Sequence, residues 1–299
     1  MPGWASVGPN TNININNRWN QAFTRPGWQR PTRDRRDYWN GWADGVRHGW
    51  NHYHYHHNWF DDRWWSNHRP GLGGWHYCYW NRNYSWSYWW TVPAWGAVTN
   101  WFDWSVPQST WSQPVYYDYG TGGNVVYEDN RVYVGGQEIA SAEEFAASAM
   151  ELATVEPPDT QQQAAEAEWM PLGTFAVSTD EKDTEPAMTV QLAVNREGVV
   201  SGTLYNARTD ESQSIQGAVD RETQRVAIRF GGSDEIVAET GLYNLTQDEA
   251  PVLVHFGADT TENYLLVRLD APQEEGTEQD AGDDGPRADG PGAEGPDDQ

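Results

Sequence analysis

The sequence predicts a mainly β protein with a short helical segment. Its centre is a small antiparallel β-meander of about eight strands, closed as a barrel or folded as a sandwich. A Trp/His/Asn-rich, partly helical region precedes it and an acidic disordered tail follows. Three observations predict this. Hydrophobicity alternates with period two through residues 169–270, turn signals interrupt that span roughly every ten to 25 residues, and 18 of the 19 tryptophans lie before residue 112. A chain so unevenly composed divides into 1–36, a low-complexity Asn/Arg/Pro segment; 37–114, the aromatic region; 115–168, a hairpin with helices; 169–270, the β-domain; and 271–299, the tail.

Taken in order, residues 10–17 alternate Asn with Ile, which suits one exposed strand or the stub of an Asn-rich array. Over 37–68 a helix opened by Asp34 or Asp37 places Trp39, Trp42, Val46, Trp50 and Tyr53 on one face, at spacings of three and four. A second helical patch, Trp95, Val98, Trp101 and Phe102, follows Pro93. Val125–Tyr127 and Val132–Val134 flank Glu128-Asp-Asn-Arg131, a β-hairpin with a polar turn. Ser141, three residues before Glu144, forms a capping box ahead of the apolar stripe Ala142, Phe145, Ala149, Leu152 and Ala153, a helix that runs to about Val155. Pro157-Pro158 stops it, and Asp159 caps a short second helix through Ala167.

In the β-domain, Met188, Val190, Leu192 and Val194 alternate with Thr189, Gln191 and Ala193. The pattern returns at 215–219, 226–230, 252–256 and 265–269, with turns at 195–198, 220–223, 231–232 and 257–259. Gly198, Gly202, Gly217 and Gly241 ease strand curvature. A barrel of this size is either filled by its own side chains or holds one small ligand, toward which His255 or Tyr243 would offer polar contacts. From Asp270 onward eleven acidic residues face Arg287 alone, a composition that cannot collapse.

Charge narrows the function classes. The net charge is −25, yet residues 1–114 carry ten Arg against six Asp, so the remainder holds −29. That argues against nucleic acid as a partner. Lys182 is the only lysine, which removes the phosphate-loop lysine, and Cys78 has no partner for a disulfide. No GxSxG, HExxH or dinucleotide fingerprint occurs, and the chain reads as non-enzymatic, the alternative being a hydrolase without a recognisable motif. No run of 18 apolar residues spans a membrane, and no signal peptide follows Met1.

Two candidate sites remain. His48, His52, His54, His56 and His57 form a run in which helical spacing stacks His48, His52 and His56 and strand spacing aligns His52, His54 and His56. Either arrangement suits Zn, Ni or Cu, while compositional bias alone also explains the run. Trp39, Trp42, Trp50, Trp95 and Trp101 suit an interaction surface for flat partners such as sugar rings, or else bury against one another or the β-domain. Val219-Asp-Arg-Glu222 resembles a cadherin calcium tetrapeptide but reads as a turn, and no calcium is expected.

Tyr116-Tyr-Asp-Tyr-Gly120, Val126-Tyr-Glu-Asp-Asn-Arg-Val-Tyr-Val134, Ser141-Ala-Glu-Glu-Phe-Ala146, Leu245-Thr-Gln-Asp248 and Val254-His-Phe256 give the chain a further character. With these segments it resembles a family of planctomycete cell-surface proteins, many of them labelled mu-protocadherin-like, over roughly residues 30–270. The resemblance implies a cell-envelope or extracellular location, normally with an N-terminal signal, and cell-envelope glycans, other surface proteins or a second copy as partners; the sequence departs from it in lacking that signal, which points either away from export or to a misplaced start. It implies no activity. The function expected on these grounds is contact or assembly through the aromatic region. The alternative is a ligand-binding module, for a metal on the histidine run or a small molecule in the barrel.

Overall fold

A computed structural model describes residues 15, 18, 19, 22, 31–53, 59–68, 74–76, 84–106, 111 and 113–271, and the side chains of all of these except 51–53. The expectations for most of 1–30 and for the tail beyond 271 lie outside the described residues. Where the Asn/Ile alternation suited one exposed strand or the stub of an Asn-rich array, Ile15 has helical backbone and is 3% exposed.

The sequence order is α1 (Arg33–Tyr53), α2 (Asp62–Asn67), a 3-10 turn (Trp86–Trp90), α3 (Trp95–Thr99), β1 (Val125–Glu128), β2 (Arg131–Val134), β3 (Gln137–Ser141), α4 (Ala142–Ala153) and α5 (Gln161–Glu166). Eight strands follow: β4 (Trp169–Ser178), β5 (Met188–Asn195), β6 (Val199–Asn206), β7 (Glu211–Val219), β8 (Arg225–Phe230), β9 (Ile236–Gly241), β10 (Glu249–Phe256) and β11 (Thr260–Arg268). Each pairs antiparallel with its neighbour in sequence, and β11 returns to β4 with Leu265 opposite Ser178, so the meander closes as a barrel with no free edge. Of the two expected forms, barrel and sandwich, it takes the first.

Local chemistry explains the elements. The β1–β2 turn puts Asp129 and Asn130 at φ 49° and 60°, the left-handed pair that a two-residue hairpin requires. At α4 the Ser141 side chain accepts from the Glu144 amide while the Glu144 carboxylate accepts from the Ser141 amide, the expected capping box. Two caps differ from expectation. Helix α1 starts at Arg33 with the Thr32 hydroxyl accepting from Arg35 N, and α5 is capped by Thr160, whose hydroxyl accepts from Gln163 N. In both cases a hydroxyl next to the first helical residue takes the role assigned to an aspartate.

Inside the barrel, Gly202 and Gly217 sit where a neighbouring strand's backbone comes close to the Cα. A Cβ on Gly217 would lie 1.9 Å from the Ala227 carbonyl oxygen, and one on Gly202 2.3 Å from the Gln191 oxygen. Only glycine lets these strands approach so closely.

Packing joins what composition separates. Helix α1 lies on the outer face of β10 and β11, with Trp42 Nε1 donating to Ser178 Oγ at 2.7 Å and Val46 fully buried. Trp59, Phe60, Trp64, Trp65 and Trp90 continue this layer over Ala176, Tyr205, Leu265 and Val267. Trp75 and Trp89 cover Trp169 and Ala193, while α4 covers Ala227 and Val237. Strands β4, β5 and β6 are thereby buried on both faces over most of their length, and outward positions such as Thr174, Ala176, Ser178, Ala193 and Ser201 are small or hydroxylated residues that admit indole rings. The aromatic region and the β-domain share their cores.

Candidate functional site

Inward-facing side chains do not fill the barrel. A cavity of about 290 Å³ lies among Val190, Leu192, Ile228, Ala238, Val252, Val254 and further apolar side chains, with Gln213, Glu239, Thr240 and Tyr264 the polar residues of its lining. Exposure along the strands shows which end opens. On β10, Ala250 is 0%, Val252 5% and Val254 4% exposed, and Phe256 is half-buried. Met188, Leu204, Phe230, Ile236 and Tyr264, at the same end of their strands, are half-buried as well. These inward-pointing but wetted side chains form a mouth.

The other end is closed. Leu245, in a 3-10 turn (Asn244–Thr246), reaches the cavity floor. Beneath it Val98, Phe102 and Trp111 pack into the barrel's hydrophobic cluster, and Trp95 stacks on Trp111 with centroids 5.6 Å apart. Trp101 Nε1 donates to the Val194 carbonyl at 3.2 Å and Trp111 Nε1 to the Arg221 carbonyl. Arg268 enters this closed end and donates to the carbonyls of Leu172, Leu245 and Gln247 at 3.0, 2.7 and 3.0 Å, its guanidinium 4.5 Å from the Phe175 ring. Desolvation brings its pKa down to about 10, so it stays charged at neutral pH.

Polar groups along the wall turn away from the cavity or are satisfied by the backbone. The Thr240 hydroxyl donates to the Pro251 carbonyl at 2.7 Å. Glu239 faces the outer side, where Arg225 Nε donates to its Oε2 at 2.5 Å, Arg225 Nη1 to Ser148 Oγ at 2.8 Å and Arg225 Nη2 to the Phe145 carbonyl at 3.3 Å. This ion pair, 5% and 0% exposed at its side chains, pins α4 to the barrel. At the mouth, Gln213 and Tyr264 are the polar members of the lining, and burial followed by the Glu262 hydrogen bond raises the Tyr264 phenol to about 12, so it stays neutral.

The candidate residues fall differently from expectation. Trp39 and Trp42 are 1% and 6% exposed, with Trp39 Nε1 donating to Asp118 Oδ1 at 2.8 Å. Of the two arrangements expected for them, an interaction surface and burial against the β-domain, these two take the second, which removes them from the candidate interaction surface. Trp50, Trp95 and Trp101 are half-buried; Trp50 meets Trp59 edge-on, and Arg196 lies 4.4 Å over Trp101. Among the described residues Val92 is the one exposed large apolar side chain. His48 is exposed on α1, while the side chain of His52 and all of His54, His56 and His57 lie outside the described residues. Among the described residues no group of three or more His, Cys, Asp or Glu is placed to hold a metal ion.

His255 does not enter the cavity. It points outward, 0% exposed, with Nε2 3.5 Å from Glu239 Oε1 and its ring 6.2 Å from Phe145. Tyr243 lies at the closed end against Trp95. The Asp220 carboxylate accepts from the amides of Glu222 and Thr223 and from the Thr223 hydroxyl, which makes 219–222 the expected turn. Sequence reasoning missed the Arg225–Glu239 pair, because charges at alternate strand positions look like a solvent face. No helix among the described residues is long and apolar enough to cross a membrane. The chain matches no protein-family model, no curated protein and no solved structure.

Proposed function

We propose that this protein is a non-enzymatic binding module that holds one small apolar molecule inside its barrel. The observation that carries the reading is the 290 Å³ apolar cavity, open at one end and closed at the other. Pockets for small molecules run from about 300 to 1,000 Å³ and combine apolar walls with a few polar groups. This one lies just below the small end of that range. Exchanging wall contacts with water for contacts with a ligand favours binding by about 25 cal/mol per Å² of apolar surface covered. The tryptophan layer serves this function indirectly, by stiffening the barrel wall from outside so that the cavity does not collapse.

The reading displaces contact through the aromatic region, because the described part of that region is turned onto the barrel. The envelope or extracellular location implied by the sequence resemblance remains part of the proposal. Cell fractionation with mass spectrometry of the native N-terminus tests it.

Calorimetry with 1-decanol tests the binding site. The wild type gives a saturable heat, and Ala238→Phe, which places a ring in the cavity, weakens binding by more than about tenfold, or 1.4 kcal/mol. Circular dichroism confirms that the variant is folded. Equal affinity in the two proteins, or no heat with the wild type, contradicts the reading.

A further inference from the structure

The charge distribution around the cavity is as informative as its shape. Among the lining residues there is no Lys, Arg or His, and the one ionisable carboxylate, Glu239, is paired with Arg225 on the outer side of the wall. Arg268 is the cation that enters the barrel. It lies at the closed end, and its donors are directed to three backbone carbonyls. No lining group is therefore placed to pair with an anionic head group drawn inside.

The mouth adds a second barrier. The loops that join strands there, 179–187, 207–210, 231–235 and 257–259, carry eight carboxylates against Lys182 and Arg208. Charges of one sign around a low-dielectric opening repel like charges on approach. The polar groups that remain at the rim, the Gln213 amide and the Tyr264 hydroxyl, are both neutral. The Gln213 amide can bond a hydroxyl or carbonyl, and the Tyr264 oxygen, whose own hydrogen goes to Glu262, can accept from a hydroxyl; neither can compensate a carboxylate or phosphate.

Resting on the cavity reading, we infer that the barrel selects uncharged apolar molecules, with at most a neutral polar end such as an alcohol or ester, and rejects anionic amphiphiles such as ionised fatty acids. An ionised head held at the mouth meets like charge, and one drawn inside loses its water without gaining a partner. The neutral head loses much less.

The test compares 1-decanol with decanoate at pH 8, where the carboxyl is ionised, by calorimetry on the full chain in low salt. The two share a ten-carbon chain, so the difference isolates the head group. Decanol is expected to bind more than about tenfold more tightly than decanoate. Decanoate binding as tightly as decanol, or more so, would overturn the selectivity and leave the cavity reading standing. If neither binds, the cavity reading fails and the selectivity with it.

Discussion

Replacing Glu239 by leucine removes the carboxylate from a guanidinium whose side chain is 5% exposed. Arg225 then keeps Ser148 Oγ and the Phe145 carbonyl, at 2.8 and 3.3 Å, but loses its counter-charge. Breaking a buried pair from one side costs about 3–5 kcal/mol, since the remaining charge is desolvated without compensation. Arg225→Leu leaves the carboxylate stranded at 0% exposure with His255 as its nearest basic neighbour, and the same range applies. The double variant Arg225→Leu/Glu239→Leu leaves no stranded charge and adds apolar surface between α4 and the barrel. It is expected to cost no more than about 2 kcal/mol, whereas independent effects would sum to about 6–10 kcal/mol. Urea unfolding at pH 7.5, followed by tryptophan fluorescence, measures all four corners of the cycle. A double variant as unstable as the sum of its singles would refute the claim that the two charges exist for each other.

Further sites give perturbations with a stated outcome. Burial lowers the pKa of His76 to about 4 from its usual 6.5. The unfolded chain binds a proton there below about pH 6.5 and the fold only below about 4, so the stability is complete above 6.5 and falls by up to about 3 kcal/mol as pH drops to 4; His76→Gln should flatten that part of the pH profile, and an unchanged slope would show that the imidazole is not buried neutral. Trp42→Ala should cost about 3–5 kcal/mol and Trp42→Phe, which loses the bond to Ser178 but keeps a ring, clearly less; chemical denaturation separates them, and a loss below about 1 kcal/mol for Ala would mean that α1 is not packed onto the barrel wall. Gly217→Ala sets a Cβ against the Ala227 carbonyl and should destabilise by at least about 2 kcal/mol, whereas Gly136→Ala, with open space around it but φ 73°, should cost about 1 kcal/mol in the same assay.

Much of the fold was legible because its determinants are local. Ser141 and Glu144 set a helix start by their own hydrogen bonds, and Met188, Val190, Leu192 and Val194 set a strand by period two. The cap of α1 was misplaced because Asp34 and Thr32 are both competent oxygens, and sequence alone does not weigh two candidates so close together. The fate of the tryptophans was harder to read. The stripe Trp39, Trp42 and Val46 predicts an apolar face but carries no address, and the address is the row of outward side chains on the barrel, including Ala176 and Ser178. Thr189 and Gln191, which look like a solvent face, are 0% and 1% exposed because that row is covered. The cavity is the least local feature. Its volume is the difference between the space eight strands enclose and the side chains that enter it, which no single strand encodes.

On this reading the barrel interior, not its aromatic coat, meets the ligand. Carbon-13 methyl spectra of the protein titrated with 1-decanol test this most directly. Saturable shifts are expected in Met188, Val190, Val252, Val254 and Leu266, which line the cavity, and none in Val46 or Leu265, which lie under the tryptophans. Shifts confined to Val46, Leu265 and their aromatic neighbours, with the interior methyls unmoved, would contradict it and return the binding surface to the coat.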